Sequence, residues 1–183
     1  AFEKEHIDYL QYRKLPDKAG DTYCQVIADG PAFNPNNSIE SVYNQMITFA
    51  DEYLYITTPY LVLEDYMQQS LIEAVHRGVD VRILTPYIPD KKYAKLLTNY
   101  NYGILLREGI RIYEYTPGFI HAKQILSENA AIVGTINMDY RSMYLHFECG
   151  VWMYGSSAVA QVKEDALTTF EQCEPVSYTH LTL

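Results

Sequence analysis

The residues best suited to chemistry lie within one stretch of the sequence, residues 119–151. His121 and Lys123 are two positions apart, so on an extended strand their side chains point to the same face. Thr135 and Asn137 have the same spacing further along the stretch. An imidazole, an ammonium, a hydroxyl and an amide that converge on one surface could bind and transfer an anionic group.

Apolar runs on both sides of Glu128 predict a β-hairpin centred on that residue. In this register His121 lies opposite Thr135 and Lys123 lies opposite Val133, although a bulge at the turn would shift the pairing by one residue. Directly opposed side chains have Cβ atoms about 5 Å apart. The two strands are predicted at 119–126 and 130–135.

This set of groups suits a phosphodiester. The His121 imidazole can act as a nucleophile or general acid, Lys123 can neutralise non-bridging oxygens, and Thr135 and Asn137 can donate hydrogen bonds to them. Such an imidazole needs a carboxylate or carbonyl on its other nitrogen to hold one tautomer. Glu148, which opens the next apolar run, is predicted to be that carboxylate.

These residues resemble the His-x-Lys motif of the phospholipase D superfamily, with its trailing Gly-Ser/Thr-x-Asn at 134–137. A longer match over 113–121 and 137–151 is similar to the C-terminal catalytic half of bacterial cardiolipin synthases, and the similarity covers residues 23 to 173. One feature departs from the motif. Its Asp position is occupied by Glu128, and the turn is one residue short, so we expect an altered turn there and an intact site.

The resemblance implies phosphatidyl transfer between two phosphatidylglycerol molecules, which gives cardiolipin and glycerol through a phospho-histidine intermediate. It implies His121, Lys123, Asn137 and Glu148 as catalytic residues, Lys123, Thr135 and Asn137 as phosphate ligands, and no metal or cofactor. Two His-x-Lys units are needed, and this chain supplies one. The partner is therefore the N-terminal catalytic half of the same protein or a second copy of this chain. The nucleophile usually belongs to the N-terminal unit, which makes His121 the general acid and base, but the likeness of the units leaves this assignment open.

Three other functions remain open at this stage. The chain could form a homodimeric phosphodiesterase, or belong to another phosphatidyltransferase such as a phosphatidylserine synthase. It could also be a non-catalytic interaction half. The formal net charge of −9 argues against a nucleic-acid partner, because binding to nucleic acid depends on Lys and Arg side chains.

A membrane surface is a further expected partner. The sequence has no apolar run of about 18 residues, so no transmembrane helix is predicted. The resemblance places the full-length protein at the bacterial inner membrane. Lys91, Lys92 and Lys95 open a predicted helix, where they form either a solvated face or a contact with anionic lipid.

Helical and strand patterns alternate along the chain and predict an α/β fold. The resemblance implies a phospholipase D-like domain, with a mixed, mostly parallel sheet flanked by helices on both faces. Residues 1–21 are interpreted as a linker from a missing N-terminal half, 22–174 as the catalytic half-domain, and 175–183 as a non-native tail in which His180 has no role. The cysteines are predicted to be free, buried thiols. Predicted helices are 38–50, 64–76, 90–100, a separate one ending near 109, and 156–173.

Overall fold

The computed structural model describes residues 8–14, 18, 20–31 and 36–178. The strands of this part of the chain are β1 (Tyr23–Asp29), β2 (Tyr53–Thr57), β3 (Leu61–Val62), β4 (Asp80–Pro86), β5 (Arg111–Tyr115), β6 (Gln124–Ser127), β7 (Ala130–Gly134), β8 (Met138–Asp139), β9 (Glu148–Tyr154) and β10 (Cys173–Pro175). Its α-helices are α1 (Ser38–Thr48), α2 (Asp65–His76), α3 (Lys92–Arg107), α4 (Tyr140–Tyr144) and α5 (Ser157–Phe170). A 3-10 helix at Tyr9–Tyr12 precedes them within the predicted linker.

Eight of these strands form one mixed sheet in the order β1-β9-β7-β6-β2-β4-β5-β10. β2, β4 and β5 are parallel, and α2 and α3 connect them, because parallel neighbours need a long crossover. The other five pairings in this sheet are antiparallel. The α/β class and the mixed sheet are confirmed. The expectation of a mostly parallel sheet is wrong, because strands after residue 115 reverse direction at each step.

Helices cover both faces of the sheet, as predicted. β2 shows why: Leu54 and Ile56 point into the core beneath α1, α2 and α3, whereas Tyr53 and Tyr55 point into the core beneath α5. All five residues of β2 are buried. Each large apolar side chain buried in this way stabilises the fold by about 1.5–3 kcal/mol. β6, which begins directly after Lys123, pairs with β2, and all residues of both strands are buried.

The C-terminal ends of β2 and β7 and the N-terminal ends of β6 and β9 lie at the same end of the sheet. β2 ends at Thr57, which pairs with Gln124 at the start of β6. β7 ends at Gly134, which pairs with Gly150 near the start of β9. Open α/β sheets bind ligands at the carboxyl ends of their parallel strands, and β2 terminates at this end of the sheet.

The hairpin forms, but its register differs from the prediction by one residue. Gln124, and not Lys123, pairs with Val133. The connection between β6 and β7 has two residues, Glu128 and Asn129, so the pairing is no longer centred on Glu128. β6 also begins later than predicted, which leaves His121 in the segment before the strand.

Two helix predictions need correction. α3 is a single helix and not two, because the chain continues through 100–103 without a break. α5 ends at Phe170, and the residues after it form the edge strand β10 beside β5. Pro175 belongs to β10, and the Val176 N–H donates to the Ile112 carbonyl at 2.9 Å, so the first residues of the predicted tail pack on the domain. His180 lies outside the described residues.

The cysteines of the described chain are free, as predicted, but they are not buried. Cys24 on β1 and Cys149 on β9 are exposed, and Cys173 is half-buried. Both exposed thiols lie on the two neighbouring strands β1 and β9, at the β1 end of the strand order. Within the described residues no helix is long and apolar enough to cross a membrane.

Candidate active site

Lys123 is buried just before β6, with 9% of its surface exposed. Its Nζ donates a hydrogen bond of 2.5 Å to the His121 carbonyl oxygen. Among the described residues no carboxylate forms an ion pair with it. Burial lowers the pKa of Lys123, and the negative charges of Glu148 and Asp139 oppose that effect. A buried ammonium without a direct anionic partner is costly, so this position suits a bound anion.

The His121 imidazole is exposed beside this lysine. Its ring centroid lies 5.5 Å from that of Phe119, which limits its orientation on one side. Partial desolvation lowers the pKa of His121, the positive charge of Lys123 lowers it further, and Asp90 opposes both. The neutral imidazole is therefore favoured, and this form can attack phosphorus or accept a proton.

Glu148 is buried at the first position of β9. One carboxylate oxygen accepts a hydrogen bond from the Thr135 hydroxyl, and the other accepts one from Ser142 Oγ at 2.8 Å. His146 Nδ1 lies 3.6 Å from the same carboxylate. No hydrogen bond joins Glu148 to His121 within the described chain. The partners found for this carboxylate thus differ from the one predicted.

Asn137 is tied into the same network. Its Nδ2 donates to Ser142 Oγ at 2.9 Å, and since that hydroxyl donates its own proton to Glu148, the amide must be the donor. The Asn137 Oδ1 atom is buried and has no partner among the described residues. Asp139 accepts from the Ser142 N–H at 2.9 Å and caps α4, so it holds the loop that follows Asn137.

Thr135 is positioned by a close approach of two strands. A Cβ on Gly134 would lie 2.3 Å from the Cys149 carbonyl oxygen, so only glycine fits. The Thr135 N–H donates to that same oxygen at 2.8 Å, and the Cys149 N–H donates to Thr135 Oγ1 at 3.0 Å. The Thr135 hydroxyl proton points to Glu148 and not to an open phosphate site. In this structure Thr135 positions the carboxylate.

Glu128 lies away from these groups, at the opposite end of the hairpin. Its two carboxylate oxygens accept hydrogen bonds from the backbone N–H groups of Asp51 and Glu52, at 3.2 and 3.3 Å. The carboxylate thus holds the turn that leads into β2. Glu128 therefore stabilises a turn and lies apart from the groups of the candidate site.

Two residues of the site were not predicted. Ser142 joins Asn137 to Glu148, and its place three residues after Asp139 is an N-cap pattern that could have marked the start of α4. Thr58 accepts a hydrogen bond from the Met138 N–H at 3.0 Å and so holds β8 beside β3. Thr58 shows no sequence signal, because its partner is far along the chain.

A groove of about 290 Å³ opens beside the network, between α3 and α4. Burial, and then a hydrogen bond to Asp90, raise the pKa of Tyr60 on its wall to about 12. Its wall residues include Tyr60, Lys91, Leu97, Asn137, Arg141 and His146. No group of three or more His, Cys, Asp and Glu side chains that could hold a metal occurs among the described residues.

Solved structures share this architecture. A phospholipase D family member from Salmonella typhimurium, Nuc, aligns with a TM-score of 0.71 at 17% identity, over 85% of this chain and 99% of that one. Phosphatidylserine synthase from Haemophilus influenzae aligns with a TM-score of 0.70 at 17% identity, over 88% of this chain and 42% of that one. The fold is therefore of the phospholipase D type.

Sequence comparison identifies a particular family within this fold. Residues 43–170 match the family described as "Cardiolipin synthase, PLD-like domain", and the chain belongs to this family. A cardiolipin synthase of Geobacillus thermodenitrificans is 36% identical over 155 residues, which are 84% of this chain and 31% of that protein. An uncharacterized protein of Streptococcus mutans is 45% identical over 143 residues, which are 78% of this chain and 31% of that protein. The chain thus spans about a third of these relatives' length.

Proposed function

We propose that this chain is one catalytic half of a phosphatidyltransferase that makes cardiolipin and glycerol from two phosphatidylglycerol molecules. It supplies one His-x-Lys unit, His121 and Lys123, and acts with the N-terminal half of the same protein or a second copy. The full-length protein would work at the cell membrane, where its substrates are. Its family membership and its cardiolipin synthase relatives support this substrate class.

The observation that carries the proposal is the environment of Lys123. A lysine this buried normally has an anionic partner in direct contact, yet its ammonium contacts only a carbonyl oxygen among the described residues. A phosphodiester placed beside the His121 ring would supply that partner. Its oxygens gain charge in the transition state, so Lys123 would stabilise the transition state more than the ground state.

The reaction then runs in two displacements. One imidazole nitrogen forms a bond to phosphorus, the bond from phosphorus to the glycerol oxygen breaks, and the other imidazole gives that oxygen a proton. In the second step the now neutral second imidazole takes the proton of the acceptor hydroxyl, whose oxygen displaces the first imidazole. By the family's usual assignment His121 is the second imidazole. Its lowered pKa makes the protonated ring a stronger acid for the first step and favours the neutral form that the second step needs.

Asn137 and Glu148 have distinct parts in this scheme. The unpaired Asn137 Oδ1 is a buried acceptor that suits a hydroxyl of a glycerol headgroup. Glu148 keeps Lys123 charged, since its negative charge opposes the desolvation of that ammonium. It also holds Thr135 and Ser142 in place.

An uncovered part of the sheet offers a docking surface for the second unit. Val26, Val151 and Val133 are cross-strand neighbours on one face, and all three are exposed. We name these residues the valine strip. It adjoins Gly134 at the edge of the site, so a second unit seated on it would bring its own groups close to His121.

Lipid mass spectrometry tests the function. The purified chain is incubated with phosphatidylglycerol micelles, alone and with a separately expressed N-terminal half of the same protein. We expect cardiolipin only in the mixture where the N-terminal half is the partner, and already from the chain alone where a second copy is the partner. Phosphatidic acid from the chain alone would indicate a homodimeric phosphodiesterase instead. No lipid product from a folded mixture would contradict the proposal and favour a non-catalytic interaction half.

A further inference from the structure

The first half of α3 has an unusual surface. Its apolar residues recur with the spacing of a single helix face, but that face points to solvent. The exposed fractions are 61% for Tyr93, 62% for Leu96, 49% for Leu97 and 72% for Tyr100. We name these four residues the α3 stripe.

The buried side of this helix carries two polar residues, Thr98 and Asn101, as well as the apolar Tyr102 and Leu105. Thr98 is buried and accepts a hydrogen bond from the Leu61 N–H at 3.4 Å. Asn101 is buried and donates to the Leu97 carbonyl at 2.9 Å. A surface helix of a water-soluble domain normally turns its apolar stripe toward the core, so a second, exposed stripe on α3 indicates an apolar environment outside the domain.

Basic residues surround the stripe. Residues 87–107 contain four basic side chains and one acidic side chain, although the whole chain has a formal net charge of −9. Lys91 and Lys92 are exposed next to Tyr93. Lys95 is different, since it forms an ion pair with Glu114 and donates to the Pro86 carbonyl at 3.2 Å. Of the three lysines considered from the sequence, two therefore remain available to an anionic surface.

The stripe is continuous with the candidate active site. Tyr93 and Leu97 line the groove that also contains Asn137 and His146. Phe119, whose ring centroid lies 5.5 Å from that of His121, lines a depression together with Lys91. A lipid held at the stripe would therefore reach the site along the groove without leaving the protein surface.

We propose that the α3 stripe, with Lys91 and Lys92, is the surface by which this protein contacts an anionic phospholipid bilayer. Tyrosine and leucine side chains enter the interfacial layer, and the two lysines lie among the lipid phosphates. The groove is then the path from the bilayer to Asn137 in the candidate site. This inference rests on the proposed function, because it takes the lipid to be the substrate.

The test is vesicle flotation of the folded chain, without a turnover assay. Vesicles are made of phosphatidylcholine alone or of phosphatidylcholine with phosphatidylglycerol. We expect Leu96→Gln/Tyr100→Gln to weaken binding to both vesicles about tenfold or more. We expect Lys91→Gln/Lys92→Gln to weaken only the binding to phosphatidylglycerol vesicles, roughly fivefold per lysine and less at high salt.

Matched control variants lie elsewhere on the domain. Phe49→Gln/Tyr66→Gln removes two exposed aromatic side chains near α1 and α2, and Lys163→Gln removes a lysine on α5. Both controls should bind like the wild-type chain. Equal losses in the stripe variants and the controls would overturn the proposal, as would a stripe variant that binds normally.

Tryptophan fluorescence gives a second readout, in a variant that keeps the α3 stripe apolar. The chain has one tryptophan, Trp152, which is half-buried in the sheet. In vesicles of brominated phosphatidylglycerol we expect strong quenching of the added indole in Leu96→Trp, and none in Phe49→Trp. An unquenched Leu96→Trp would refute the bilayer contact, and a loss of association with the second catalytic unit in Leu96→Gln/Tyr100→Gln would show that the stripe binds protein instead.

The outcome is separable from that of the proposed function. Binding through the stripe without cardiolipin synthesis would refute the function and leave the bilayer contact standing. Cardiolipin synthesis in micelles, together with vesicle binding that the stripe variants leave unchanged, would refute only the proposed bilayer contact.

Discussion

Ser142 Oγ donates a hydrogen bond of 2.8 Å to the Glu148 carboxylate. This bond joins α4 to β9, and the hydroxyl of Thr135 brings the end of β7 to the same carboxylate. Two separate elements thus hold one buried charge near Lys123, and the charge in turn favours the ammonium form of that lysine. Substitutions that remove or move the Glu148 carboxylate should therefore change the pKa of Lys123.

Replacement of His121 by alanine should abolish lipid transfer in the full-length protein, because the proposed reaction uses this imidazole for proton transfer or attack on phosphorus. Cardiolipin formation is measured by mass spectrometry. His76→Ala is the matched control, since His76 lies at the end of α2 with Glu108 at 3.4 Å, and it should retain normal activity. More than a few per cent of wild-type activity in His121→Ala would refute the assignment.

Glu148→Gln should cause a large loss of turnover while the fold stays intact. Without the carboxylate charge, desolvation of Lys123 is unopposed on that side, so the pKa of Lys123 falls further. The basic limb of the pH–rate profile should move to lower pH. Glu73→Gln, on the exposed side of α2, is the control. A near-normal rate and an unchanged profile in Glu148→Gln would exclude this role.

Lys123→Met should raise the pKa of His121. Desolvation is the main cause of the lowered pKa and remains in the variant, but the repulsion from the ammonium is removed. NMR titration of the histidine ring signals measures the shift, with His76 as the internal reference. A His121 pKa that stays constant or falls would show that the two side chains are not coupled.

Gly134→Ala should destabilise the domain by about 1–3 kcal/mol, because the added Cβ meets backbone atoms that have little freedom to move. It should also reduce turnover, since the strand shift displaces Thr135 from Glu148. Chemical denaturation gives the free energy of unfolding. Gly20→Ala is the control, because a Cβ there has nothing within 4 Å. Equal stability of the two variants would contradict the close approach.

Val26→Lys/Val133→Lys should weaken association with the second catalytic unit by about tenfold or more, since two charges would enter an apolar contact. Both residues are exposed, so the melting temperature of the chain should change little. Sedimentation of mixtures with the N-terminal half measures the association. Tyr66→Lys, on α2, is the control. Normal association of the valine variant would place the docking surface elsewhere.

Local sequence pattern predicted the alternation of helices and strands and the hairpin, because periodicity reflects which faces are buried. It missed the hairpin register, since a turn of two residues and one of three look alike in sequence but shift every pair by one. It also missed β10, a strand of three residues whose partner β5 lies far back in the chain. The formation of a short edge strand depends more on the neighbouring strand than on the strand's own residues.

By itself the sequence determined which groups are available: an imidazole and an ammonium two residues apart, with a hydroxyl, an amide and a carboxylate downstream. Only the tertiary structure decided their environments. Lys123 is buried, Thr135 faces Glu148, and the apolar stripe of α3 faces outward. The physical reason is that burial and hydrogen bonding at these positions depend on strands and helices distant in the chain, and no local spacing encodes those contacts.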